Sequence, residues 1–67
     1  MKELFINGER QTLEEVSTIR EVVDRLGLPV ALLLVEHNGV ALHRSEWERQ
    51  GVHDGDRLEI LRVAAGG

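Results

Sequence analysis

The chain has 67 residues and a formal net charge of −4, from 12 acidic and 8 basic residues. This length predicts one domain, too small to enclose an active-site cavity within its own walls. Cysteine is absent, which excludes disulfides and thiolate chemistry, while the acidic balance and the two aromatic residues, Phe5 and Trp47, argue against nucleic-acid binding.

The first predicted element is a β-hairpin. Residues 2–7 alternate between apolar and polar faces as a half-buried strand does, and residues 9–13 form a short, polar return strand. Asn7-Gly8, between them, is typical of a type I′ turn, in which both central residues have positive φ. The polar return strand is expected to lie at an edge of the sheet.

A helix follows, with both ends marked in the sequence. Thr18 and Glu21 form a capping box, with Thr18 as the N-cap. Gly27 occupies the left-handed position after the last turn, and Pro29 prevents continuation. Apolar residues recur at helical spacing and predict one buried stripe: Ile19, Val22, Val23 and Leu26.

The next predicted pair of strands is apolar. Residues 31–37 form a dense apolar strand whose two faces the pattern does not separate, Asn38-Gly39 is a second type I′ signal, and residues 40–42 return. The surrounding apolar block, 28–35, is too short to cross a bilayer. Because the start of the sequence lacks the features of a signal peptide, we expect a soluble, cytoplasmic protein without a membrane partner.

The last part of the domain is predicted to contain a turn and a final strand. Ser45 and Glu48 repeat the capping-box spacing around a single turn that carries Trp47, which we expect to cap the core. The Asp-Gly-Asp turn at 54–56 precedes an apolar strand over 57–63. The element order is therefore β-β-α-β-β-turn-β, which predicts one helix lying across one mixed sheet.

Residues 64–67, Ala-Ala-Gly-Gly, are predicted to form a flexible tail after a domain over 1–63. Two alanines and two glycines bury little apolar surface, and glycine loses the most backbone entropy on ordering. Such a tail reaches about 13–14 Å when extended, at roughly 3.3–3.6 Å per residue, so it could thread a narrow channel in a partner. The alternative is a frayed end without function.

The titratable side chains do not predict a site in the body of the domain. His37, His43 and His53 lack helical i, i+4 pairing and thiolate companions, so no metal site is expected. Asp54 and Asp56 flank a glycine, and their expected role is turn and backbone hydrogen bonding rather than acid–base catalysis.

Taken together, these motifs resemble the ThiS-type sulfur carriers of the ubiquitin-like β-grasp fold over the whole chain. The resemblance rests on the early Asn-Gly turn, the single helix and three later segments: Asn38-Gly39 through Arg44-Ser45-Glu46-Trp47, Val52-x-Asp54-Gly55-Asp56 and Gly66-Gly67. The chain departs from the family at His43, where proline is frequent, and at His37, where an apolar residue is usual. The implied fold is α+β, with one helix packed across a mixed sheet of four or five strands and a flexible Gly-Gly tail.

The resemblance implies a carrier rather than an enzyme. A ThiF-type, E1-like partner would use ATP and Mg to adenylate the carboxylate of Gly67, next to Gly66, while the carrier itself binds no cofactor. Sulfur from a cysteine desulfurase or another persulfide source would then replace AMP and give a thiocarboxylate. A ThiG-type thiazole synthase would receive that sulfur for the thiazole of thiamine.

Strand alternation predicts a docking surface beside the tail. If Leu58 and Ile60 face the helix, then Leu61 and Val63 lie on the opposite face of the sheet. Phe5 lies on that face too if the first strand is the neighbour and Leu4 and Ile6 point inward. The predicted partner-binding residues are therefore Phe5, Leu61, Val63, Ala64, Ala65 and Gly66.

Two other functions remain open on the sequence alone. One is a sulfur carrier for a different pathway, such as molybdopterin synthesis, tRNA thiolation or cysteine synthesis. The other is a β-grasp interaction module whose tail is inert or is conjugated to proteins.

Overall fold

The computed structural model describes residues 1–63, so the predicted tail over 64–67 and the predicted domain boundary before it lie outside the described residues. Within that range the chain forms one α-helix and five strands, together with short 3-10 turns at Val30–Leu32 and Arg44–Glu46. The helix and strands are β1 (Lys2–Ile6), β2 (Glu9–Leu13), α1 (Ile19–Leu26), β3 (Leu33–His37), β4 (Val40–Leu42) and β5 (Arg57–Arg62).

The strands form a single mixed sheet in the order β2-β1-β5-β3-β4. The β1–β5 pair is parallel, and the other pairs are antiparallel. The last strand in sequence is therefore the central strand in space, with neighbours on both sides. The predicted element order and mixed sheet are confirmed, with five strands.

Both predicted Asn-Gly turns are present. Asn7 and Gly8 have φ values of 52° and 83°, and Asn38 and Gly39 have values of 50° and 85°. Positive φ at both central residues is the type I′ signature, whose twist matches that of the strands it joins. The two turns join the β1–β2 and β3–β4 hairpins through residues that are adjacent in sequence.

The helix begins and ends where its capping residues predict. The Thr18 side chain accepts a hydrogen bond from the Glu21 N–H at 3.2 Å, and the Glu21 carboxylate accepts one from the Thr18 N–H at 3.1 Å. Gly27 closes the helix with a φ of 69°. The apolar stripe then packs α1 on the inner face of the sheet.

The core lies between α1 and this inner face. Trp47 is 1% exposed, as predicted for a residue that caps the core, and its Nε1 has no hydrogen-bond acceptor among residues 1–63. The other buried core residues are Leu4, Ile6, Val16, Ile19, Val22, Val23, Leu33, Val35, Val52, Leu58 and Ile60.

Three predicted boundaries were wrong. The strand expected over 31–37 begins at Leu33, because the Leu32 N–H bonds the Pro29 carbonyl at 2.9 Å and closes a 3-10 turn first. The turn predicted from Ser45 and Glu48 is instead closed two residues earlier, where the Glu46 carboxylate accepts from the His43 N–H at 2.9 Å. The final strand also ends at Arg62, one residue short of the prediction.

In residues 1–63 we find no helix of the length and apolarity needed to cross a membrane.

Candidate functional site

The residue predicted to react, Gly67, lies outside the described residues, together with the predicted contact residues Ala64, Ala65 and Gly66. The structure does define the part of the domain from which this segment leaves. We call residues 60–63 the β5 exit. Its geometry decides which side chains the domain presents where the described residues end.

Side-chain burial alternates along β5 from Arg57 to Leu61. Leu58 and Ile60 are 0% and 6% exposed against α1, whereas Leu61 and Val63 are 54% and 41% exposed. Successive side chains of a strand point to opposite faces, so Leu61 lies on the outer face of the sheet. This is the orientation that the sequence pattern predicted, and the role of these residues in partner binding stays a prediction.

Phe5 does not join them in one cluster. It lies on the outer face opposite Arg57, whose guanidinium carbon is 4.9 Å from the centroid of the phenyl ring. Leu61 is four residues further along β5, which corresponds to roughly 13 Å at 3.3 Å per residue. Because β1 pairs with the start of β5, Phe5 is half-buried at the opposite end of the strand from the exit.

The residue beside Leu61 is instead Leu34, its register partner on β3, which is 55% exposed. We call Leu34, Leu61 and Val63 the exit cluster. Sequence reasoning missed Leu34 because it lies in a continuous apolar run, in which alternation carries no signal of which face is buried. The next outward pair toward the start of β5 is Glu36 opposite Glu59, two like charges.

The β5 exit is held on its two sides by different contacts. On the β1 side, Oδ1 of Asn7 accepts from the Ile60 N–H at 2.8 Å, and its Nδ2 donates to the Ile60 carbonyl at 3.1 Å. On the β3 side, the Val63 N–H donates to the Leu32 carbonyl at 2.7 Å. The sequence predicted Asn7 only as a turn residue.

The start of β5 is held by a polar network around Asp56. Its Oδ2 lies 2.7 Å from Nε2 of His37 and accepts from the His53 N–H at 2.9 Å, while its Oδ1 accepts from Asn38 Nδ2 at 3.1 Å. The predicted turn role of Asp56 is thus confirmed, and the contact with His37 was missed. Asp54 makes a backbone hydrogen bond as predicted, but outside its own turn, since its Oδ1 accepts from the Glu3 N–H of β1 at 2.8 Å.

This network shifts the ionisation of Asp56. Burial by itself would raise the pKa of the carboxyl group, but the hydrogen bonds from His37, from the His53 N–H and from Asn38 outweigh it, and the pKa lies below its usual value. Residues 1–63 hold no group of three or more histidines and carboxylates that could bind a metal ion.

The domain has one helix packed on a five-stranded mixed sheet, and the last strand in sequence, β5, is the central strand of that sheet. This arrangement defines a β-grasp domain of the ubiquitin-like type. The same arrangement occurs in a thiamine biosynthesis protein (ThiS) from Geobacter metallireducens. Its crystal structure is similar at a TM-score of 0.82, with 29% sequence identity over 97% of this chain and 99% of that one. Its solution structure gives a TM-score of 0.77, with 97% and 87% coverage.

The ThiS family model matches residues 3–67, so the chain belongs to the ThiS family. This confirms the predicted class, a thiamine-related sulfur carrier rather than an enzyme. The chain is also 33% identical over 64 residues to a thiazole synthase of Paramagnetospirillum magneticum. That match covers 96% of this chain but spans only 20% of the length of that protein.

Proposed function

We propose that this protein carries sulfur as a thiocarboxylate on Gly67 and delivers it for the synthesis of the thiamine thiazole. The observation that carries the proposal is the match of the ThiS family model through residue 67, which includes the Gly66-Gly67 pair. Glycine at both positions leaves no side chain to obstruct the approach of a nucleotide to the carboxylate. The domain supplies the reacting group and its delivery, and partners supply the catalysis.

The first proposed step is adenylation. A carboxylate at a chain terminus has a pKa of about 3.3–3.7 and is ionised near neutral pH, so it can attack phosphorus but does not react with sulfur. In an E1-like partner that holds ATP and Mg, a Gly67 oxygen bonds the α-phosphorus and pyrophosphate leaves. The product is a mixed anhydride with a carbonyl carbon open to attack.

The second proposed step exchanges oxygen for sulfur. The terminal sulfur of a persulfide, from a cysteine desulfurase or another donor, attacks the carbonyl carbon, and AMP leaves with the anhydride oxygen. A thiol then reduces the resulting acyl disulfide by two electrons. This releases the thiocarboxylate, with the thiol oxidised to a disulfide.

The proposed acceptor is a ThiG-type thiazole synthase. It is supported by the similarity of this chain to a 64-residue stretch of a protein that is itself named a thiazole synthase. A carrier-like domain within the same chain as a synthase is expected where the two act on one another, because covalent linkage raises their effective concentration.

The exit cluster is the surface we propose for docking these partners. Exposed apolar side chains grouped beside the reacting segment favour an interface, and Leu34 and Leu61 are each more than half exposed. We expect Leu61→Asp to weaken binding to the E1-like enzyme about ten-fold or more, since a carboxylate would be desolvated at the contact. Val40→Asp is the matched control, because Val40 is 61% exposed but lies on the opposite face, paired with His37.

Adenylation tests the proposed function. Three proteins are mixed with the E1-like enzyme, ATP and Mg: one ending at Gly67, one with two alanines added after Gly67, and one with the same alanines added before Met1. We expect ATP–pyrophosphate exchange with the first and third proteins and none with the second. Exchange by the second protein, or by none of the three with an enzyme active on another carrier, would contradict the proposal.

A further inference from the structure

Asn7 makes a contact that its turn does not require. Its side-chain amide bonds both backbone groups of Ile60, at 2.8 and 3.1 Å, across 53 positions of sequence. A neighbouring strand would form a similar pair of bonds through its own backbone. The Asn7 side chain therefore adds one further pair of hydrogen bonds on the β1 side of the sheet, at Ile60, the first residue of the β5 exit.

Beyond Ile60, β5 is paired on the β3 side alone. The Val63 N–H bonds the Leu32 carbonyl, and β3–β5 bonds recur at every second residue, so the backbone groups of Arg62 point toward β1. β1 ends at Ile6, and within residues 1–63 no side-chain hydrogen bond and no backbone hydrogen bond outside the strand ladders involves the Arg62 backbone. Ile60 is thus the last residue of β5 with hydrogen bonds on the β1 side.

We propose that Asn7 is a positioning residue for the sulfur-carrier reaction: it fixes the direction in which the chain leaves β5 toward Gly67. This inference rests on the proposed function. Without the Asn7 amide, residues 60–63 are held by β3 alone and sample more directions. Docking to the activating enzyme must then order them, and that entropy cost weakens productive binding without changing the chemistry at the carboxylate.

Asn38 provides a matched control in the same chain. It occupies the same position of an equivalent turn, with a φ of 50° against 52° for Asn7, and it also bonds β5. Its Oδ1 accepts from the Arg57 N–H at 2.8 Å, at the opposite end of the strand from the exit. Because glycine adopts positive φ without strain, Asn7→Gly and Asn38→Gly both keep the turn and remove the amide.

The test compares both variants with the wild type, all untagged and ending at Gly67, as substrates of the E1-like enzyme. For Asn7→Gly we expect KM for the carrier to rise about three- to ten-fold with kcat within about two-fold, the signature of lost binding rather than lost chemistry. For Asn38→Gly we expect both constants within about two-fold of the wild type, even at an equal or larger loss of stability. An equal rise in KM for both variants, or no rise for Asn7→Gly, would overturn the inference.

A second readout does not depend on the enzyme. Amide hydrogen exchange at Leu61 and Val63 should be about five-fold faster or more in Asn7→Gly than in Asn38→Gly, when both are measured under conditions of equal global stability. Equal exchange rates would reject the positioning role whether or not the protein is adenylated. Failure of the wild type to be adenylated would reject the proposed function and leave this exchange result to decide the role of Asn7.

Discussion

The two ends of β5 differ in how they are held in the sheet and in which side chains they expose. At its start, the Asp56 carboxylate collects hydrogen bonds from three residues, and Arg57 covers the ring of Phe5. At its exit, the Asn7 amide holds the strand on the β1 side, the β3 ladder and the Val63–Leu32 backbone bond hold it on the other, and apolar side chains face solvent. The fold thus concentrates its polar contacts where the strand enters the sheet. It leaves the end that leads to Gly67 available to a partner.

The largest expected difference between the ends is in core packing. Leu58→Ala should lower the free energy of unfolding by about 2–5 kcal/mol, because the side chain is fully buried near the start of β5 and its loss opens a cavity. Leu61→Ala, in the same strand but 54% exposed, should change it by about 0.5 kcal/mol or less. Urea denaturation of both variants measures the difference, and similar losses would mean that the exit is packed as firmly as the start.

The polar network at the start should give the next largest effect. Asp56→Ala leaves the His53 N–H, the Asn38 amide and His37 without their acceptor, and should cost about 1–3 kcal/mol. Asn7→Gly removes two hydrogen bonds at the exit and should cost less, about 1 kcal/mol, because Asn7 is solvent-exposed. A larger loss of unfolding free energy for Asn7→Gly than for Asp56→Ala would contradict the view that the start of β5 is held more firmly than its exit.

The same network predicts a pH dependence confined to the start of β5. Because the pKa of Asp56 is lower in the folded protein than its usual value of 3.8, its stabilisation is complete above that pH and is lost as the pH falls through the folded pKa. The stability advantage of the wild type over Asp56→Asn should therefore shrink as the pH falls from about 5 through the folded pKa, which lies below 3.8. Urea midpoints for the two proteins across this range measure it, and a constant difference would contradict the assigned contacts.

The smallest expected effect concerns the like-charged pair between the two ends. Glu36 and Glu59 lie directly opposite each other on the outer face, and residues 1–63 provide no ion-pair partner for either. Glu59→Gln should stabilise the protein by about 0.2–1 kcal/mol, since like charges at opposed positions repel. Added salt should remove most of this gain. Destabilisation by Glu59→Gln would show that Glu59 has a favourable contact in the folded protein.

The sequence predicted best what is decided locally. Both Asn-Gly turns and the helix from its Thr18 cap to Gly27 were correct, because each depends on residues within a few positions of one another. The boundary at Leu33 was missed, since an apolar run of this kind suits a 3-10 turn as well as a strand.

The candidate site was predicted less completely because its contacts are distant in sequence. Asn7 reaches Ile60 across 53 positions, and His37 reaches Asp56 across 19. Alternation placed Leu61 on the outer face but could not give the strand register, which brings Leu34 beside it and leaves Phe5 at the other end of the strand.

The most direct test of the carrier proposal is the intact mass of the untagged protein after incubation with its E1-like enzyme, Mg-ATP and a cysteine desulfurase as the sulfur source. Exchange of one oxygen for one sulfur should add about 16 Da, and a variant lacking Gly67 should show no gain. An unchanged mass, with partners shown to be active on another carrier, would contradict the sulfur-carrier proposal and favour an interaction module.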